Sequence, residues 1–235
     1  MAESGATDSP LRLLLINPNT STHITDRLAA SARAAMADDE HLTAVTAPDG
    51  PAAVRSADDL HRAEASALDL ARVHAAGHDA IVLGISLDGA AARLRILHAG
   101  LPIVGMTEAA LLTACLRSDR IGLLTLGPAL LPLYRDRVDQ IGIGSRVIAY
   151  EGPELVAAFE AGSGGIDHVV LGVLVEAGER LRDAGAESIV LAGAVLCGYA
   201  EALAVRCHLP VFDGVSCAVG KIRNLLNRPI GTAPA

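Results

Sequence analysis

The chain alternates short, continuous apolar runs with longer amphipathic stretches. Leu11 to Ile16 is the first run, and a helical pattern follows from about Thr20 to Ala37. His41 to Thr46 alternates as a strand does. A long helical stretch, about Ala52 to Ala76, leads to a second apolar run at Ala80 to Gly84. A helix is expected from about Gly89 to Leu97, a buried strand at Pro102 to Val104 and a helix at Thr107 to Leu116. Apolar runs without polar alternation belong to strands covered on both faces, and the intervening helices supply the cover. The pattern predicts α/β architecture with parallel, doubly wound sheets.

The rhythm then repeats at a fixed offset. IVLGISLDGAAARL begins at Ile81, and IVLAGAVLCGYAEAL begins at Ile189. The same offset separates LPIVGMTEAA at Leu101 from LPVFDGVSCA at Leu209, Arg12 from Arg120, and Gly77 from Gly185. One register shared by four separated segments indicates an internal duplication. The second half should contain strands at Ile121 to Thr125, Arg146 to Tyr150, Ser188 to Ala192 and Val211 to Phe212. Gly77 and Gly185 fit helix stops ahead of a strand. Two similar four-stranded halves related by a pseudo-twofold are therefore expected, residues 11–118 and 119–227, with exchange of terminal segments between them allowed. Residues 1–10 and 228–235 read as polar or frayed tails. Ligands of such sheets bind beyond the carboxyl ends of the strands. Two facing halves would enclose one cleft, walled by positions that the repeat makes equivalent.

Composition narrows the function. Apolar residues make up 51% of the chain and aromatics only 2%, so small aliphatic side chains must pack tight helix-on-sheet layers. A net charge of −8 with no basic run argues against nucleic acid. No apolar stretch has spanning length, so no membrane association and a cytoplasmic location are expected. Cys115, Cys197, Cys207 and Cys217 show neither CxxC nor metal-ligand spacing with His, and read as reduced thiols with no metal site. None of the eight His is assigned a catalytic role.

Candidate chemistry sits at the strand ends. In Asn17-Pro18-Asn19-Thr20-Ser21, Asn17 and Asn19 can hold a carboxylate or imide oxygen, whereas Thr20 or Ser21 can simply cap a helix. Ser86 can present a hydroxyl to the cleft, and Asp88 is better suited to capping the next helix than to acting as a base. Thr125 occupies the slot matching Asn17. Gly193 and Ala194 form a smooth segment that allows close ligand approach. Asp213 either caps the last helix or orients a cleft group.

LLLINPNTSTHIT, HDAIVLGISLDGAAARL, LPIVGMTEAALLTA, IGLLTLG, AESIVLAGAV and LPVFDGVSCAV resemble, in order and spacing, the aspartate/glutamate/hydantoin racemase superfamily, above all its hydantoin and allantoin racemases. The resemblance covers about Leu11 to Leu226. It implies a cofactor-independent enzyme that forms homo-oligomers and acts on a small amino-acid derivative, carboxylate or cyclic imide. In that superfamily two cysteines face each other across the substrate carbon, because inversion needs a base on each face. The corresponding positions here are Ile85 and Gly193, and neither transfers a proton. A slipped alignment would bring Asp88 and Cys197 into those places, but a buried structural Cys197 inside the next helix is the preferred reading. The resemblance further implies substrate binding by Asn17, Asn19, Ile85, Ser86, Thr125, Gly193 and Ala194, with Ser86 and Thr125 as the candidate catalytic pair. Two alternatives to a racemase-like enzyme stand: a lyase, decarboxylase or cyclising enzyme on the same scaffold, and a non-catalytic small-molecule binder.

Overall fold

In a computed structural model the described residues are 9–155 and 166–227. The expected tails therefore lie outside them, apart from Ser9 and Pro10. The first half runs β1 (Arg12–Asn17), α1 (Thr22–Ala34), β2 (His41–Thr46), α2 (Ala57–His74), β3 (Ala80–Leu83), α3 (Ala91–Leu97), β4 (Ile103–Gly105) and α4 (Met106–Cys115). The second runs β5 (Ile121–Leu124), α5 (Leu131–Ile141), β6 (Val147–Glu151), α6 (His168–Asp183), β7 (Ser188–Leu191), α7 (Ala200–Cys207), β8 (Val211–Asp213) and α8 (Gly214–Leu225). Short 3-10 turns at Ser86–Asp88 and Ala194–Leu196 follow β3 and β7.

Each half holds a four-stranded parallel sheet, ordered β2-β1-β3-β4 and β6-β5-β7-β8. The duplication extends to hydrogen-bond register. Leu13 lies opposite Ala80, and their equivalents in the repeat, Ile121 and Ser188, lie opposite each other. The match breaks at the edge, where the β5–β6 pairing shifts register after Ile121. Central strands β3, β5 and β7 are buried at every residue, while edge strand β2 is partly open to solvent. This is the burial that continuous apolar runs demand.

The helix starting at Ala57 is shorter than its apolar periodicity suggests. Ser56 caps it by accepting from the Asp59 amide, and the preceding segment is diverted. The Pro51 and Ala52 carbonyls accept from the Thr20 amide and the Ser21 hydroxyl, which straps this segment over the end of β1. Gly77 and Gly185 adopt φ values of 82° and 93° after their helices, the left-handed conformation such stops require.

The halves interlock through their last helices. Ala110, Leu111 and Ala114 of α4 pack with Ile121, Leu123 and Val190 of the second sheet. Val215, Ala218, Val219 and Ile222 of α8 share a core with Leu13, Leu15 and Val82 of the first. Both helices begin in the molecular interior, so their first amides need acceptors. The Asp88 carboxylate receives the Thr107 and Glu108 amides at 2.8 and 2.7 Å. The Asp213 carboxylate receives the Val215 and Ser216 amides at 2.9 and 3.2 Å, and the Gly198 amide at 2.8 Å. Asp213 is thus a cap. Asp88 caps as well, though its helix is α4 rather than the following α3.

The two caps occupy different positions in the repeat. Position 105 matches 213, and it is glycine because a Cβ there would overlap the Asp88 carboxylate. To bring Asp88 into place, Leu87, Asp88 and Ala90 all adopt positive φ, at 65°, 54° and 69°. Each such non-glycine residue costs about 1–2 kcal/mol, and the α4 cap holds them there. Gly105→Asp alone should therefore be strongly destabilising, and Asp88→Ala should cost about 1–2 kcal/mol for the lost cap. The double variant moves the carboxylate to the second half's arrangement and should recover much of the loss. Urea denaturation of all four proteins checks this, and additive single effects within about 0.5 kcal/mol would refute it.

Candidate active site

In a sheet ordered β2-β1-β3-β4 the chain leaves β1 towards one side and β3 towards the other, which opens a crevice between their carboxyl ends. The second sheet repeats this between β5 and β7. All four loops line a single cleft: Asn19 after β1, Gly84 to Ser86 after β3, Thr125 and Leu126 after β5, and Gly193 to Val195 after β7. Ile24, Leu130 and the strap residues Ala53 and Val54 complete the wall. The walls lie close together.

Six of the seven residues implied by the resemblance meet here: Asn19, Ile85, Ser86, Thr125, Gly193 and Ala194. Asn17 does not line the cleft. It is wholly buried, and its Nδ2 lies within hydrogen-bonding distance of Asn19 Oδ1, the Ser21 carbonyl and Thr25 Oγ1. Its role is to fix the loop. Asn19 Oδ1 is further held by the Ser21 amide at 3.0 Å. That leaves the Asn19 Nδ2 as a donor for a bound molecule. Ser21 starts α1 with no side-chain cap, since its hydroxyl is committed to the strap.

Ser86 and Thr125 face the cleft from opposite halves and are nearly buried. Behind them, on α5, is Tyr134, an aromatic side chain that sequence reasoning passed over. Its hydroxyl is buried beside the Ser86, Thr125 and Thr107 hydroxyls, and it forms no hydrogen bond of normal geometry with any of them. Burial pushes its phenol up to about 12, so it remains a neutral donor. The apolar wall of Ala53, Val54, Leu126 and Leu130 was also missed, because these side chains carry no chemistry for a motif to flag.

Ile85 and Gly193 stand on the two walls. A Cβ built at Gly193 would lie 3.9 Å from Thr125 Oγ1, so a side chain there would project into the cleft. Asp88 and Cys197 do not take their places. Asp88 lies on the far side of its loop, bonded to the α4 amides and to Arg137 of α5 at 3.1 Å. Burial raises its carboxyl above the usual range, and Arg137 and the amides pull it back. Cys197 follows its 3-10 turn and precedes α7, so it is not helical. It lines a separate cavity with Arg27, Ser31 and Asp213. Burial, and then the Asp213 charge, hold its thiol well above the usual range. All four cysteines are free. Among the described residues no Asp, Glu, His, Cys, Lys or Tyr lines the cleft, no cluster of His, Cys, Asp and Glu suits a metal ion, and no helix is long and apolar enough to cross a membrane.

The chain is similar to known proteins over most of its length. The hydantoin racemase of Paenarthrobacter aurescens is 29% identical over 214 residues, covering 88% of each chain. The allantoin racemase structure from Klebsiella pneumoniae superposes with a TM-score of 0.80 at 27% identity, covering 96% of each chain. The glutamate racemase of Francisella tularensis, in complex with D-glutamate, shares the fold with a TM-score of 0.66 at 13% identity over 94% of this chain and 81% of its own. The family model described as Asp/Glu/Hydantoin racemase matches residues 13–222, from the first strand into the last helix, and on that match the chain belongs to the Asp/Glu/hydantoin racemase family.

Proposed function

We propose that this chain is a cofactor-independent, racemase-like enzyme that binds a small carboxylate or cyclic imide of the hydantoin or allantoin kind. It works without the two-thiol proton exchange. One observation carries this reading: hydroxyls from both halves and the Asn19 amide converge on one narrow cleft whose described wall holds no titratable side chain. Hydroxyl and amide donors placed on a developing oxyanion stabilise it strongly in a water-poor site. What the wall lacks is a group to take a proton from carbon. A neutral serine or threonine hydroxyl is a poor base without a partner.

A second reading follows from that lack. Loss of CO₂ from a malonate-type acid leaves the electron pair on an enolate and requires an oxyanion site, but no base. The proton returned to carbon would then come from water. The carboxylate-binding hydroxyl pair Ser86 and Thr125 suits this chemistry as well as it suits binding an imide.

Deuterium exchange distinguishes these readings from two-base racemisation. With 5-substituted hydantoins or allantoin in heavy water, the wild-type protein should exchange the ring C–H no faster than buffer does. Exchange far above the buffer rate would show that a base reaches the carbon and would sink the cysteine-free reading. An arylmalonate that released CO₂ to give racemic product would favour decarboxylation.

Allantoin or D-glutamate should raise the melting temperature of the wild-type protein by mass action. Ser86→Ala combined with Thr125→Ala should remove that shift and lower any turnover by about a hundredfold or more. An unchanged shift in the double variant would take both hydroxyls out of the site.

A further inference from the structure

Tyr134 is a buried polar group beside the cleft that neither the fold nor the proposed chemistry has used. Its ring packs among Leu87, Leu130, Val138 and Val147, a role phenylalanine would fill equally well. Its hydroxyl is fully buried, makes no hydrogen bond of normal geometry, and lies beside the two hydroxyls that line the cleft. Thr107 Oγ1 beside it is likewise buried and unpartnered. The nearby Asp88 carboxylate does not satisfy it, because that group is engaged by two α4 amides and Arg137. A buried hydroxyl left without a partner needs an explanation, and a polar group waiting for a ligand to order its neighbours is one.

We propose that Tyr134 is a positioning residue that turns the Ser86 and Thr125 hydroxyl protons into the cleft. This inference rests on the binding reading above. A serine or threonine hydroxyl has one proton to give and lone pairs to accept with. When a ligand oxygen accepts the Ser86 or Thr125 proton, that hydroxyl's own oxygen becomes a better acceptor, and Tyr134 is the buried donor on its far side. The chain Tyr134 to Ser86 or Thr125 to ligand oxygen then polarises along its length, as linked hydrogen bonds do in a low-dielectric interior. It is the ligand oxygen that draws the protons forward and tightens these bonds. Hydrogen bonds at active sites are often long before the substrate arrives and tighten with it.

Tyr134→Phe tests this, because it removes one oxygen atom and keeps the ring. Calorimetry with allantoin, and separately with D-glutamate, measures affinity, while melting without ligand measures structure. The melting temperature of the ligand-free variant should be unchanged or raised, since an unpartnered buried hydroxyl contributes nothing to the folded state. Affinity for the probe that the wild type binds should fall about tenfold. Combined with Thr125→Val, the loss should be smaller than the product of the two single effects, because Tyr134 acts through Thr125 and Ser86. Wild-type affinity in Tyr134→Phe, or multiplicative losses in the double variant, would overturn the positioning role and leave the binding reading intact. Failure of the wild type to bind either probe would overturn both.

Discussion

Two helices of this protein begin in its interior, and each start must be met by a negative charge. The first amides of α4 and α8 lie where the halves interlock, buried or partly buried, and an unpaired buried amide there would cost about 1–3 kcal/mol. Asp88 and Asp213 meet them. Each carboxylate also ties down the loop that follows the third strand of a half. Asp88 belongs to the loop after β3, and Asp213 accepts the Gly198 amide of the loop after β7. Those loops supply Ile85, Ser86, Gly193 and Ala194 to the cleft. The geometry of the site is therefore set from behind, by caps that touch no ligand.

Arginines from the opposite half reinforce both loops. Arg137 of α5 pairs with Asp88, and Arg27 of α1 donates to the Cys197 carbonyl while lying over the Tyr199 ring. Each half thus fastens the other's cleft loop, and the two walls are held in mutual register although, among the described residues, no strand of one sheet pairs with the other. Pre-organisation of this kind matters most for a site that works through fixed hydrogen-bond donors. Donors already in place do not reorganise when charge develops.

Much of this was legible in the chain. Period and burial demand agreed at the central strands, so β1, β3, β5 and β7 could be read from their apolar runs. The fixed offset of the repeat matched cleft positions to one another from sequence alone. What was hidden lay in relations between distant residues. Asp88 reads locally as a cap for the helix that begins three residues later, but three left-handed residues turn its carboxylate onto α4, nineteen positions away. Asn17 and Asn19 look equivalent in sequence, yet one faces inwards to brace the loop and the other faces the cleft. Tyr134 carries no motif, and only the packing of α5 against the first half brings its hydroxyl to Ser86.

The same constraint explains why Asp88 is not free to act in place of the proton-transfer group that the family resemblance implies at Ile85. A carboxylate three residues from the cleft position is the obvious substitute in sequence. To serve as a base it would have to leave two α4 amides unpaired and give up its ion pair with Arg137, which would keep only Glu108, with α4 losing its cap at the moment of reaction. Giving up that cap costs about 1–2 kcal/mol, and the lost ion pair with Arg137 adds to it. The second half makes the point by contrast. There the cap has moved to Asp213, the position after β7 matching Asp88 is Leu196, and the carboxylate still faces away from the cleft. In both arrangements the fold keeps its buried charge for the helix start and leaves the cleft to neutral hydroxyls and amides, a surface suited to receiving negative charge from a ligand.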